Sequence, residues 1–255
     1  MLTAKCPGQD RRNWKPGDIF DHPCPNCEEM VEFWKTDAKV TCPSCKTEII
    51  NPKLNLGCAL WCDYAEQCVG DISDVFNEQP EALRDKLELE SRRYFIGEKG
   101  RWEFTRESAE VASKVLELEK EATPPVVLAV IFLNDIGYAL CKKKGQELTS
   151  ENIAECAQEG AKEILKKIKL PNEVQEKALK ILNVVVQNSE DDLEGENQLL
   201  EAGDIDCLLC RDILQITRFK RYTVKAGGTE EEKEQLTNKL NRNSSVKYVT
   251  NILNL

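Results

Sequence analysis

The chain has 255 residues and a net charge of −10, from 45 acidic and 35 basic side chains. That balance excludes a broad nucleic-acid or anionic-membrane surface, which needs clustered Lys and Arg. With 41% hydrophobic residues the chain can bury a core, and with 12 Cys but a single His, His22, a site built from several imidazoles is excluded while thiolate chemistry is favoured.

No apolar stretch of signal-peptide length occurs within 1–15, where Lys5, Asp10, Arg11 and Arg12 intervene. The longest purely apolar run, 126–133, has eight residues, against roughly 20 for a spanning helix. We therefore expect a soluble, cytoplasmic protein with no membrane partner, in which cysteines read as metal ligands before disulfides.

Eight of the cysteines fall between Cys6 and Cys68, in a stretch that also holds six prolines. Short apolar segments at 30–34 and 48–50 read as strands. Cys24-Pro-Asn-Cys27 and Cys42-Pro-Ser-Cys45 make C-x2-C-x14-C-x2-C. Each turn aims two thiolates at one point, and four thiolates close around a tetrahedral ion, the pattern of a zinc ribbon. The glycine often found after the second cysteine of such a knuckle is Glu28 in one and Lys46 in the other. Zn2+ is the expected ion and rubredoxin-like iron the minor alternative; His22 is not expected to be a ligand.

A second set, Cys58, Cys62 and Cys68, is spaced so that the first two share a helix face, and Cys6 is available as the fourth ligand. This set suits a [4Fe-4S] cluster, with a second Zn2+ or plain buried thiols as the alternatives. The fold expected for residues 1–72 is thus a small metal-stapled ribbon domain.

Residues 73–255 read as all-helical, so the chain as a whole is mainly α. Helices are expected over 80–94, 105–121, 123–140, from 150 to about 168, 171–187, 199–216 and 230–241, with an acidic loop at 189–196 and a short C-terminal tail. The segment after Thr123-Pro124 is apolar nearly all round and should be the buried centre. Cys207-Leu-Leu-Cys210 has redox-pair spacing, but in an apolar helix it reads more simply as two small buried hydrophobes. The basic runs at 142–144 and 162–169 and the acidic runs at 190–196 and 230–233 read as solvated faces before partner surfaces.

Leu133-Asn134-Asp135-Ile136-Gly137, at the end of the apolar helix, resembles the L-H-D-I-G segment of HD-domain phosphohydrolases. Glu107, in Arg106-Glu107-Ser-Ala-Glu-Val111, stands where that family has its first His, and Asp204, in Glu201-Ala-Gly-Asp204-Ile-Asp206, where it has its last metal-binding Asp. The resemblance implies an HD-like helical bundle. In the family those positions hold a divalent metal that activates water against a phosphate ester. Here Glu107 and Asn134 replace the two histidines, and no histidine occurs after His22. The resemblance therefore implies a degenerate, catalytically silent bundle that acts through a protein partner, such as a redox enzyme, or a nucleotide. Two alternatives stand beside it: an active phosphohydrolase whose Glu107, Asp135 and Asp204 hold Mg2+ or Mn2+ through oxygen alone, and a purely structural subunit with two zinc sites.

Overall fold

The computed structural model describes residues 15–35, 37, 39–53, 80–187, 203–223 and 228–251. The chain divides into two compact units, Met1–Glu78 and Gln79–Leu255, and the fold is mainly α.

The first unit holds two antiparallel hairpins. Strands β1 (Ile19–Pro23) and β2 (Met30–Trp34) pair with Phe20 opposite Phe33 and His22 opposite Val31; β3 (Lys39–Thr41) and β4 (Glu48–Ile50) pair with Val40 opposite Ile49. Alternation along β1 and β2 turns Phe20, His22, Val31 and Phe33 to one face. Phe33, Val31 and Ile49 form the small core with Cys24 and Cys42. Phe20 stacks on Phe33 at 5.7 Å, and Lys53 Nζ sits 3.9 Å over the Phe20 ring. The sequence indicates β2 and β4 but not their partners. Each cysteine knuckle is the tip of its own hairpin, whereas the spacing alone suggests one hairpin between the knuckles.

A buried asparagine ties the hairpins together. Asn51 Nδ2 donates to the carbonyls of Trp34 (3.2 Å) and Asp37 (2.9 Å), and Asn51 Oδ1 accepts from the Lys53 N–H. It thereby pairs backbone groups of the link between β2 and β3 that β pairing leaves free.

The second unit contains α1 (Pro80–Arg92), a 3-10 turn (Arg93–Phe95), α2 (Lys99–Leu118), α3 (Pro124–Leu133), α4 (Ile136–Lys143), α5 (Ser150–Ile168), α6 (Asn172–Gln187), α7 (Ile205–Tyr222), α8 (Glu230–Thr237) and α9 (Asn243–Asn251). Every residue of α3 from Val126 to Leu133 is at most 1% exposed, and α3 packs against α1, α2, α6 and α7. A helix apolar on all sides has no face to give to water, so it takes the centre. The Asn134–Asp135 turn separates α3 from α4, where the sequence suggests one helix to 140. Together they form a stretch, Pro124–Lys143, long and apolar enough by length and composition to cross a membrane, which counting uninterrupted apolar residues overlooks; its most apolar 18-residue window is 72% buried.

Helix starts follow capping chemistry. Thr149 accepts from Asn152 N at α5, Asp204 from Cys207 N at α7, and Thr229 forms a reciprocal capping box with Glu232 at α8. Thr123 precedes the prolines of α3 without a side-chain cap; its N–H instead donates to Asp206 Oδ1 at 2.7 Å. The C-terminal tail is helical: α9 buries Tyr248 and Val249, and its approach is held by Asp212, whose carboxylate accepts from Asn241 N, Asn241 Nδ2 and Arg242 N.

Candidate metal centre

The two knuckles have the same backbone. Cys24 N donates to Glu29 O (2.8 Å) and Glu28 N to Cys24 O (2.9 Å); Cys42 N donates to Thr47 O (2.8 Å) and Lys46 N to Cys42 O (3.0 Å). Proline after each first cysteine fixes φ at the start of the turn. Glu28 (φ 59°) and Lys46 (φ 62°) are left-handed, the conformation for which glycine usually stands at this position. Side chains there cost roughly 1 kcal/mol each, strain the surrounding turn must hold.

These turns bring Cys24, Cys27, Cys42 and Cys45 to one point, with all four sulfurs within 4.8 Å of one another. Cys24 and Cys45 Sγ are 3.5 Å apart, and Cys27 and Cys42 Sγ 3.6 Å. With Zn–S near 2.3 Å, a regular tetrahedron has sulfur edges of about 3.8 Å. The set can therefore hold one mononuclear tetrahedral ion. It is too tight for an iron-sulfur cube, whose thiolates bind separate corners.

The electrostatics favour a cation in their midst. Thr47 holds the Cys45 thiol down to about 5, through its hydroxyl, 3.2 Å away, and its backbone N–H. At Cys27 the Glu29 N–H also favours the thiolate, but the neighbouring Cys45, Cys42 and Cys24 sulfurs outweigh it and push the thiol up to about 12. Four sulfurs so close cannot all ionise without a positive charge to share. His22 packs edge-on to Phe33 at 6.4 Å and is outside the group.

Among the described residues this is the one group of three or more His, Cys, Asp or Glu side chains close enough to hold a metal. Cys6, Cys58, Cys62 and Cys68 lie outside the described residues. No family model, curated protein or solved structure matches the chain. The reading of this group as a candidate metal centre therefore rests on its own geometry.

The carboxylates singled out in the helical unit do not form a group. Each meets its own cation. Asp135, in the turn after α3, pairs with Arg101 Nη1 of α2 at 2.9 Å, and that guanidinium lies 3.4 Å over the Tyr138 ring. Burial raises the Asp135 carboxyl against the opposing pull of Arg101 and Arg218. Glu107 of α2 pairs with Arg221 of α7 at 3.5 Å. Asp204 caps α7 and lies 3.2 Å from Lys177 Nζ of α6, which also reaches Asp206 at 2.7 Å. Burial works against the Lys177 ammonium, but Asp206 and Asp204 outweigh it and keep its pKa above the ordinary value. Asn134 sits at the C-cap of α3. A carboxylate-only Mg2+ or Mn2+ site would need these acids turned to one ion, and the structure turns them to three separate cations.

Sequence reasoning missed Arg101, Lys177 and Arg221 as the partners of these acids, because their spacing along the chain carries no local signal. Thr47 was findable: it stands two residues after Cys45, where a backbone N–H and a hydroxyl face the thiolate. Cys207 and Cys210 are fully buried on α7; burial pushes Cys207 up to about 11 and raises Cys210 well above the ordinary thiol value. They are packing groups, not exposed thiolates.

Proposed function

We propose that this chain is a metal-stapled interaction protein without hydrolytic activity. Zn2+ at Cys24, Cys27, Cys42 and Cys45 would supply folding free energy and no chemistry. The observation that carries this reading is the tetrahedron of sulfurs, sized for one ion with no open coordination position. The zinc identity rests on the thiolate donor set and on the closed geometry that a structural site requires.

The second cysteine set, Cys6, Cys58, Cys62 and Cys68, is assigned to a [4Fe-4S] cluster, with a second Zn2+ as the alternative, because both accept four thiolates. A cluster would give the chain a reversible one-electron centre. The helical unit then acts as a binding scaffold for a protein partner such as a redox enzyme, or for a nucleotide, in the cytoplasm. Its resemblance to HD-domain phosphohydrolases supports a bundle whose metal site was lost: Asn134 and Glu107 replace histidines, and Arg101, Arg221 and Lys177 neutralise the remaining acids.

The test is an oxygen-free preparation assayed for zinc, iron and acid-labile sulfide on one sample, beside hydrolysis of phosphate esters and nucleotides with Mg2+ or Mn2+. The proposal expects one zinc with about four irons and four sulfides per chain, and no hydrolysis. Two zincs without sulfide would replace the cluster by a structural site. Metal-dependent hydrolysis abolished by Asp135→Ala would overturn the scaffold reading.

A further inference from the structure

Helices α4 and α5 approach so closely at one point that a Cβ on Gly137 would lie 2.2 Å from Ile153 O and 2.8 Å from Ala157 Cβ. Cys141 stands one helical turn beyond Gly137 on α4, and Cys156 lies between Ile153 and Ala157 on α5. Both sulfurs converge on the link between the helices. Cys156 Sγ is 3.0 Å from Gln146 Oε1, and Cys141 Sγ is 3.8 Å from Gln146 O and 3.3 Å from Glu147 O.

The pair is buried, Cys141 at 0% and Cys156 at 2% exposure, yet its cover is thin: residues 142–150 are all exposed, Gln146 among them. Burial raises the Cys156 thiol, and the neighbouring Cys141 raises it further through charge and a side-chain hydrogen bond. Lys144, paired with Glu159, pulls in the opposite direction. At this close helix crossing Cys156 lies under the exposed Gln146 side chain and Cys141 against the Gln146 and Glu147 carbonyls, and the two thiols are near enough to hydrogen-bond each other.

We propose that Cys141 and Cys156 are a reversible redox-modification site that forms an intramolecular disulfide stapling α4 to α5. Hydrogen peroxide is the oxidant. One thiol loses its proton, and its thiolate attacks the peroxide O–O bond to become a sulfenic acid; the displaced hydroxide takes up that proton and leaves as water. The second sulfur then displaces the sulfenic oxygen, which leaves as a second water, and the S–S bond forms. Two thiols are oxidised by two electrons and one peroxide is reduced. A dithiol reductant reverses the step by exchange. The crossing at Gly137, one turn from Cys141, holds the helices close, and the hydrogen bond between the two thiols brings their sulfurs within reach of a disulfide.

The experiment treats the reduced, metal-loaded full chain with graded hydrogen peroxide, blocks free thiols by alkylation, and digests with trypsin without reduction. Cleavage places Cys141 in peptide 121–142 and Cys156 in peptide 145–162, each with no other cysteine. The expected result is a linked pair of these peptides that dithiothreitol separates, with a rise of about 5–10 °C in the thermal midpoint of the helical unit. Cys156→Ala abolishes both, and Gln146→Ala, which removes the side chain over Cys156 without touching the core, speeds linkage several-fold. The proposal is overturned if both cysteines stay alkylated as free thiols, or pass to sulfinic and sulfonic acids with no linked peptide, in wild type and Gln146→Ala alike.

Discussion

A single methyl group on Gly137 would meet the Ile153 carbonyl at 2.2 Å, a contact with backbone that no rotamer change relieves. Gly137→Ala should therefore cost about 3 kcal/mol or more, the upper range for overpacking, read as a lower midpoint in urea unfolding. Asn51 presents the opposite case, a buried polar group satisfied on three sides. Asn51→Ala leaves the Trp34 and Asp37 carbonyls without their donor, so roughly 1–3 kcal/mol should be lost from the first unit. Metal affinity measured in parallel should fall with it, since folding and binding are one process there. At this scale the four cysteines at 24, 27, 42 and 45 were legible, because C-x2-C spacing is itself the geometry. The role of Asn51 was not, because its partners lie 17 and 14 residues away.

Among the elements, those with strong local signals were read correctly. Ser150–Ile168 begins after a capping threonine and shows a clean apolar face, and Pro80 opens α1 as prolines do. The sequence places Asn134 and Asp135 at the end of the apolar helix, as found, but the helix expected to run on to 140 instead restarts as α4, with neither glycine nor proline at the break. Helix α9 escaped because Asn-Ser-Ser-Val-Lys-Tyr-Val-Thr-Asn has few apolar positions, and its place is fixed by Asp212, about 30 residues earlier in the chain. Helices α6 and α7 are linked by the Lys177 bridge to Asp204 and Asp206. Lys177→Met should destabilise by about 1–2 kcal/mol, less than a fully buried pair because the lysine reaches solvent. The Lys177 pKa is raised on folding, so its contribution is fully present below the ordinary lysine value of 10.5 and is lost as pH rises through the raised value. Alkaline unfolding curves of wild type and Lys177→Met should accordingly converge above that pH and differ below it.

For the molecule as a whole, the two units owe their order to different physics. The helical unit has an apolar core around α3, whereas among the described residues of the first unit the buried core is Val31, Phe33 and Ile49 beside two cysteines. Small domains with so little core are held by staples. A chelator should therefore unfold the first unit while leaving far-UV helical signal intact; parallel loss of helicity would show that the ion holds both. Acid should release the metal as well, since thiolates must be free of protons to bind it. The broad architecture, a cysteine ribbon and a helical bundle, was legible from composition alone. The cations that the acids of the bundle meet were not, because Arg101, Arg221 and Lys177 are brought from other helices.

The central claim is that Cys24, Cys27, Cys42 and Cys45 close on one ion. X-ray absorption at the zinc edge of the purified chain tests it directly. The account predicts four sulfur neighbours at about 2.3 Å and no second metal nearby. Fewer than four sulfurs, with nitrogen or oxygen completing the shell, or a short metal–metal vector, would contradict it.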